Sequence, residues 1–176
     1  MIRQQRMRVE ITAVLSLGSN LGDRETTIRE AVADIARTPD VHVVAASGLI
    51  ETPALKPDGV DEDAPAYLNA AVIVRTSLTP EALLDAVNAI EQYHGRVRIE
   101  RWGDRTLDID IVDIVGLQIS TDRLTLPHPG AAERAFVLAP WLDIDPDATL
   151  TGHGRVADLL AALPDQVQRY EAEALL

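Results

Sequence analysis

Hydrophobic positions along this chain fall into blocks of period two and period 3.6, in an order that predicts a fold. Residues 9–17 read as a first strand, closed by Gly18-Ser19-Asn20-Leu21-Gly22. Ile28, Ala31, Val32 and Ile35 then fall at helical spacing, predicting a helix over 24–37 with Asp23 or Asn20 as its cap and Thr38-Pro39 as its end. Residues 41–50 read as one weakly alternating strand with Gly48 as a bulge. Residues 51–66 read as a loop, because they hold three prolines and five acids. A strand over 67–76 follows. Thr79-Pro80-Glu81 then opens a helix with the stripe Leu83, Leu84, Val87 and Ile90, stopped by Gly95. A strand over 106–115 completes a βαββαβ order. That order predicts an α+β, ferredoxin-like antiparallel sheet with its helices on one face. Beyond it come a short strand or turn at 116–122, a rigid Pro127-His128-Pro129-Gly130 loop, a helix over 132–142 disturbed by Pro140, and a last helix over 156–163. These form a small C-terminal helical extension, and residues 1–176 read as a single domain.

Composition narrows the function classes. With 47% hydrophobic and 25% charged residues the chain is ordinary for a globular protein. Its net charge of -12 argues against nucleic-acid or membrane-surface binding, since both targets are anionic. The absence of cysteine excludes disulfides, thiolate metal sites and cysteine nucleophiles. The N-terminal apolar run, Ala13 to Leu17, is too short for a signal or a membrane span, so a cytoplasmic protein is expected. The one lysine, Lys56, follows Leu55, so no P-loop is present.

Against that acidic background, residues 96–111 stand out. Arg96, Arg98, Arg101 and Arg105, with Trp102 among them, precede a strand in which Leu107, Ile109 and Ile111 alternate with Thr106, Asp108 and Asp110. Alternation puts the two aspartates on one face, with Cα atoms about 6.5 Å apart. Paired carboxylates suit oxygen-liganded cations such as Mg²⁺, and arginine forks suit phosphate oxygens. Phosphoryl chemistry on a nucleotide is the reading of the residues themselves. His128, held between two prolines, is a candidate phosphate or nucleotide contact, whereas His42 and His94 read as surface residues. A nucleotidyltransferase is disfavoured because Ser19 and Asp108 lie far apart in sequence; a nucleotide-sensing domain remains a rival. Asp113 is an anomaly. Strict alternation puts it on the apolar face with Ile109 and Ile111, so either the strand bulges or ends near Val112, or the carboxylate has a partner.

Longer motifs carry a resemblance. Leu17-Gly18-Ser19-Asn20-Leu21-Gly22-Asp23-Arg24, Glu51-Thr52-Pro53, Tyr67-Leu68-Asn69-Ala70-Ala71, Arg101-Trp102-Gly103, Arg105-Thr106-Leu107-Asp108-Ile109-Asp110-Ile111, Leu126-Pro127-His128-Pro129 and Glu133-Arg134-Ala135-Phe136-Val137-Leu138 stand in this order. Together they resemble the 6-hydroxymethyl-7,8-dihydropterin pyrophosphokinases over roughly residues 13–147, with a spacing from Arg98 to Arg101 one residue shorter than in better-known members. The resemblance implies pyrophosphate transfer from ATP to the pterin hydroxymethyl group, giving AMP, in folate biosynthesis. It implies two Mg²⁺ ions on Asp108 and Asp110, with Arg96 and Arg105 catalytic beside them. It implies a pterin held at Asn69 and the backbone near Thr52, Pro53 and Leu55, and stacked between Tyr67 and Phe136. ATP would meet Glu91, Arg98, Trp102, Arg105, Ile111, Thr125, His128 and Arg134. The implied partners are these two small molecules, with neither nucleic acid nor membrane, and the implied state is a monomer.

Overall fold

The N-terminal apolar run forms β1 (Ile11–Ser19), the strand on which the main sheet is built. The computed structural model describes residues 8–56, 58–95, 106–164 and 167–176, with Leu55 and Lys56 described by backbone alone. After β1 come α1 (Arg24–Arg37), β2 (Val41–Ala46), β3 (Leu49–Thr52), β4 (Ala54–Lys56), β5 (Gly59–Asp61), β6 (Tyr67–Thr76), α2 (Pro80–Tyr93) and β7 (Asp108–Ile114). The second half holds β8 (Ile119–Ser120), β9 (Thr125–Leu126), a 3₁₀ turn (Ala131–Glu133), α3 (Ala135–Ile144), β10 (Thr149–Leu150), β11 (Gly154–Arg155), α4 (Val156–Ala161) and β12 (Gln168–Tyr170). The main sheet runs β12-β3-β6-β1-β7, with β2 also paired to β6, and every pairing is antiparallel.

The caps explain the two long helices. Asp23 accepts from the Thr26 amide at 3.1 Å and Thr79 accepts from the Ala82 amide at 3.2 Å, each satisfying a first-turn donor. The expected strand over 41–50 is in fact two, separated at Ser47 and Gly48. There the Ser47 hydroxyl accepts from the Ala71 amide at 2.9 Å, so a side chain carries the ladder across the break. The bulge falls at Val43–Ala45 instead of Gly48. Residues 51–66 are not wholly loop, because β4 and β5 pair as a small hairpin within them.

The two faces of the sheet differ. Ala13, Leu15 and Leu17 of β1 join Ala70, Val72 and Val74 of β6 and Ile109, Ile111 and Ile114 of β7 in a core with Ile28, Val32 and Ile35 of α1 and Leu83 and Val87 of α2. On the other face Val14, Ala71 and Val112 meet Val137, Leu138 and Trp141 of α3 and Val156 of α4. Helices therefore cover both faces, not one. The expected helical extension folds back because α3 is apolar nearly all round and needs a sheet face to bury it. The last regular element is also a strand, β12, rather than a helix.

Asp113 is resolved by both of the alternatives raised for it. The β1–β7 register slips between Val14 and Leu15: Leu15 faces Ile111, but Val14 faces Asp113. This bulge turns Asp113 away from the α1/α2 core onto the α3/α4 face. There it is 1% exposed, and its Oδ2 accepts from the Thr151 amide at 3.1 Å and hydroxyl at 3.0 Å. Burial nevertheless pushes its pKa above 3.8, against the lowering effect of the Thr151 bonds. A raised folded pKa means that the folded state holds the proton more tightly. This group's contribution is thus fully present below 3.8 and is lost as pH rises through the folded value. Asp113→Asn, which keeps an acceptor for Thr151 and cannot ionise, is expected to gain thermal stability relative to the parent chain as pH climbs from 4 to 7. Melting curves across that range check the sign.

Candidate active site

Register on the α3 face builds the site. Gly18 of β1 has Asn69 as its neighbour on β6 and Asp108 as its neighbour on β7; two residues back, Ser16 lies between Ala71 and Asp110. The two aspartates therefore share a face, as alternation predicted, and Asn69 stands across β1 from Asp108, about 10 Å away at two strand spacings. Gly18 keeps the floor between them open. A Cβ there would lie 3.0 Å from Asn69 Oδ1 and 3.6 Å from Tyr67 Cδ1. The backbone at Gly18 is extended, so space and not conformation is what requires glycine.

On the β6 side stand Asn69, Tyr67 and Thr52, with Phe136 on α3, the helix packed over this face. Asn69 is 4% exposed and its Nδ2 donates to Thr52 Oγ1 at 2.9 Å. Tyr67, at the start of β6, and Phe136, in the first turn of α3, are half-buried. The Arg134 guanidinium lies over the Phe136 ring at 5.8 Å, within cation–π range. Pro53 is exposed between β3 and β4, and Leu55 stands in β4.

On the β7 side a cavity of about 690 Å³ opens between α2 and β7. Leu84, Asn88, Glu91 and Gln92 line it from one face of α2; Ile109, Asp110 and Ile111 line it from β7; and Arg123, Leu124, Thr125, His128 and Pro129 close it. Of the sequence-predicted nucleotide residues, Glu91, Ile111, Thr125 and His128 come together here with Asp110. Arg134 contributes from α3's start instead of lining the cavity. Asn88, Gln92 and Arg123 were not anticipated. Their signal was present for α2, where Asn88 and Gln92 continue the Leu84 face at helical spacing. Arg123 gave none, because its contacts with Glu81 (3.1 Å) and Asp85 of α2 are visible only in three dimensions.

Two groups brace the edge that carries Asp108 and Asp110. Glu91 is 2% exposed, and its Oε1 accepts from the Ile109 amide at 2.7 Å. A carboxylate on α2 thus grips the backbone midway between Asp108 and Asp110. His128 donates its own amide to the Val112 carbonyl at 2.8 Å, and its Nδ1 accepts from the Gly130 amide at 3.1 Å. The neutral ring then carries its proton on Nε2, which lies 3.9 Å from Asp110 Oδ2. Burial is the main cause that lowers the His128 pKa below 6.5; the Arg134 charge adds to it and the Asp108 charge opposes it. Gly130 allows this grouping, since a Cβ there would stand 2.8 Å from Arg134 Nε. The expectation for His94 fails: its side chain is 7% exposed and its Nε2 meets Asp34 Oδ2 at 2.8 Å, tying α2 to α1. Arg96, Arg98, Arg101, Trp102 and Arg105 lie outside the described residues.

An antiparallel α+β sheet that sets a buried asparagine and two aspartates on one strand face, beside a cavity at its β7 edge, defines the class of fold and site. Comparison with known proteins makes the class particular. The model of the 7,8-dihydro-6-hydroxymethylpterin-pyrophosphokinase (HPPK) family matches residues 14–146. The 2-amino-4-hydroxy-6-hydroxymethyldihydropteridine pyrophosphokinase of Methylorubrum extorquens is 46% identical over 160 residues, covering 90% of this chain and 98% of its own. That of Haemophilus influenzae is 36% identical over 155 residues, covering 88% and 94%. Among solved structures, a Plasmodium falciparum HPPK-DHPS (A437G, with STZ-DHP) superposes with a TM-score of 0.66 at 14% identity, over 89% of this chain and 46% of that one, a likeness of fold. The chain belongs to the 7,8-dihydro-6-hydroxymethylpterin-pyrophosphokinase family.

If Arg134 helps to hold His128 neutral, removing its charge must let the imidazole pKa rise. Arg134→Gln is expected to move the His128 titration upward towards 6.5 while the other histidines stay put. NMR titration of the imidazole carbons checks the direction, and a downward or absent shift would discard the contact.

Proposed function

We propose that this chain carries out its family's reaction, transfer of pyrophosphate from ATP to 6-hydroxymethyl-7,8-dihydropterin with release of AMP, across the Asn69–Gly18–Asp108 row of the sheet. The row itself is the observation that carries the reading, since it sets an amide recess and a carboxylate pair side by side. The pterin occupies the recess, with Asn69 and Thr52 facing its amide edge and Tyr67 and Phe136 on its two ring faces, the offset stacking that aromatic systems favour. ATP occupies the cavity between α2 and β7, with Thr125 and Ile111 towards the base and His128 and Arg134 towards the phosphates. Arg96, Arg98, Trp102 and Arg105 belong to the same nucleotide side in this reading, Arg96 and Arg105 as catalytic groups.

The donors at Asp108 and Asp110 fit Mg²⁺. Both side chains offer carboxylate oxygens from one face of β7. Mg²⁺ characteristically takes one or two protein carboxylates and completes its shell with water and substrate phosphate. Two such ions, when bound, neutralise phosphate oxygens and acidify the attacking hydroxyl. The chain's own residues do the rest. Glu91 fixes the strand that carries the carboxylates, and the recess holds the pterin hydroxymethyl in line with the phosphates, so positioning and not covalent help lowers the barrier.

The order β7-β1-β6 with β2 and β3 beyond it supports the ferredoxin-like description of the sheet. Leu175 packs in the same core as Leu15, which supports one domain over 1–176. The reading includes monomeric action, since Asn69, Asp108, Asp110 and His128 all come from one chain, and a cytoplasmic location where ATP is supplied. Among the described residues no helix is long and apolar enough to cross a membrane.

The test is AMP formation from ATP and Mg²⁺ with and without the pterin. Pterin-dependent AMP supports the reading, and ADP as product would replace it with ordinary kinase chemistry. Asp110→Ala is expected to lower turnover at least about a thousandfold with the fold retained, a loss typical of removing a catalytic electrostatic group. Gly18→Ala is expected to raise the pterin KM about tenfold or more, by overpacking against Asn69 and Tyr67, and to leave the ATP KM within about twofold. An unchanged pterin KM would move the pterin elsewhere.

A further inference from the structure

The family match ends at residue 146, yet residues 168–176 dock directly behind the recess. The link between them is Arg24, the first residue of α1. Its Nη1 donates to Glu51 Oε2 at 2.8 Å and to the Ala66 carbonyl at 2.8 Å, and its guanidinium lies over the Tyr170 ring at 5.9 Å. Each of the first two contacts falls on the residue immediately before a pocket residue: Glu51 before Thr52, and Ala66 before Tyr67. Thr52 in turn receives the Asn69 amide. Asn20 reinforces the same segment, donating to the Pro65 carbonyl at 3.2 Å.

The tail closes the back of this arrangement. β12 pairs with β3 in the register Gln168↔Glu51, Arg169↔Ile50 and Tyr170↔Leu49, so the strand leading to Thr52 is held between β6 and β12 rather than left as an edge. Further on, Arg29 of α1 donates to the Ala174 carbonyl at 2.7 Å and to the Glu173 carbonyl at 3.1 Å, and Leu175 enters the main core. The Arg24 side chain is 25% exposed and that of Glu51 35%, so the pair is partly shielded from solvent screening.

We propose that Arg24, with Glu51 and the β12 tail, is a positioning device for the pterin recess: it holds the segments that deliver Thr52 and Tyr67 and so sets affinity for the pterin but not for the nucleotide. The selectivity follows from topology. The device grips β3 and the segment before β6, whereas the nucleotide cavity is built from α2, β7 and β9 on the far side of β1. Arg24 itself touches neither substrate. The proposal rests on the recess being the pterin site.

The experiment compares Arg24→Gln, Arg24→Lys, Tyr170→Ala and Asn69→Ala in the full chain, measuring kcat, the KM of each substrate and the melting temperature. Arg24→Gln is expected to raise the pterin KM about 5- to 10-fold, the range for losing a charge-assisted pair and a hydrogen bond, with kcat and the ATP KM within about twofold. Arg24→Lys keeps the charge towards Glu51 but not the planar fork or the stacking, and is expected to lie between parent and Gln. Tyr170→Ala is expected to raise the pterin KM in the same selective way, less than additively with Arg24→Gln. Asn69→Ala separates the two ideas. If it raises the pterin KM and neither Arg24→Lys nor Tyr170→Ala does, the positioning device is wrong while the recess stands. If Asn69→Ala itself leaves pterin affinity unchanged, the recess reading falls first and the device with it. A parallel rise in both KM values would show general loosening and overturn the proposal, and because Arg24→Lys is the mildest change it decides the matter should Arg24→Gln fail to fold.

Discussion

The two-residue period of β1 is the constraint on which the rest depends. As an interior strand it is covered on both faces, and the two faces ask for opposite things. Ala13, Leu15 and Leu17 must be apolar to seal against α1 and α2, while Ser16 and Gly18 lie on the face that carries Asn69, Asp108 and Asp110, where a Cβ on Gly18 would crowd Asn69. A slip of one residue would bring Leu15 and Leu17 to the site and put Gly18 into the core. Antiparallel pairing on both sides propagates this parity to β6 and β7, so Asn69, Asp108 and Asp110 inherit their face from β1. The active site is thus a consequence of register before it is a consequence of any one side chain.

The bulge at Val112 and Asp113 marks where this inheritance ends. Up to Ile111 the strand keeps the parity that places the aspartates; beyond it the polar residue must leave the α1/α2 core, and one extra residue sends it to Thr151 instead. The Val112 carbonyl beside the bulge receives the His128 amide. The same irregularity that disposes of a misplaced carboxylate therefore helps to anchor the loop carrying His128 next to Asp110.

Much of this was legible in the sequence, and the reasons are physical. α1 was placed residue for residue because its stripe, its Asp23 cap and its Thr38-Pro39 stop are all local, and β6 and the start of α2 were found for similar reasons. The shared face of Asp108 and Asp110 followed from alternation alone. Failures came where distant parts of the chain decide. The break at Ser47 depends on a hydroxyl reaching Ala71, the burial of His94 depends on Asp34, and α3's place on the second face depends on the exposed sheet that it covers. Arg123 belongs here too: a lone arginine in a turn becomes part of the cavity wall only once α2 presents Glu81 and Asp85. The Asn69, Tyr67 and Phe136 grouping came from resemblance, not from spacing.

The arginines of this acidic protein differ in the groups they meet. Among the described residues, Arg24 and Arg123 are tied to acids: Arg24 to Glu51, and Arg123 to Glu81 and Asp85. Arg134 differs, because its described contacts are the Phe136 ring and the space left by Gly130. Its charge adds to burial, the larger cause, in lowering the His128 imidazole pKa. A carboxylate partner would cancel that charge, and a Cβ at Gly130 would displace it. Glycine at 130 thus leaves room for an arginine that lies over the Phe136 ring and whose charge lowers the His128 pKa.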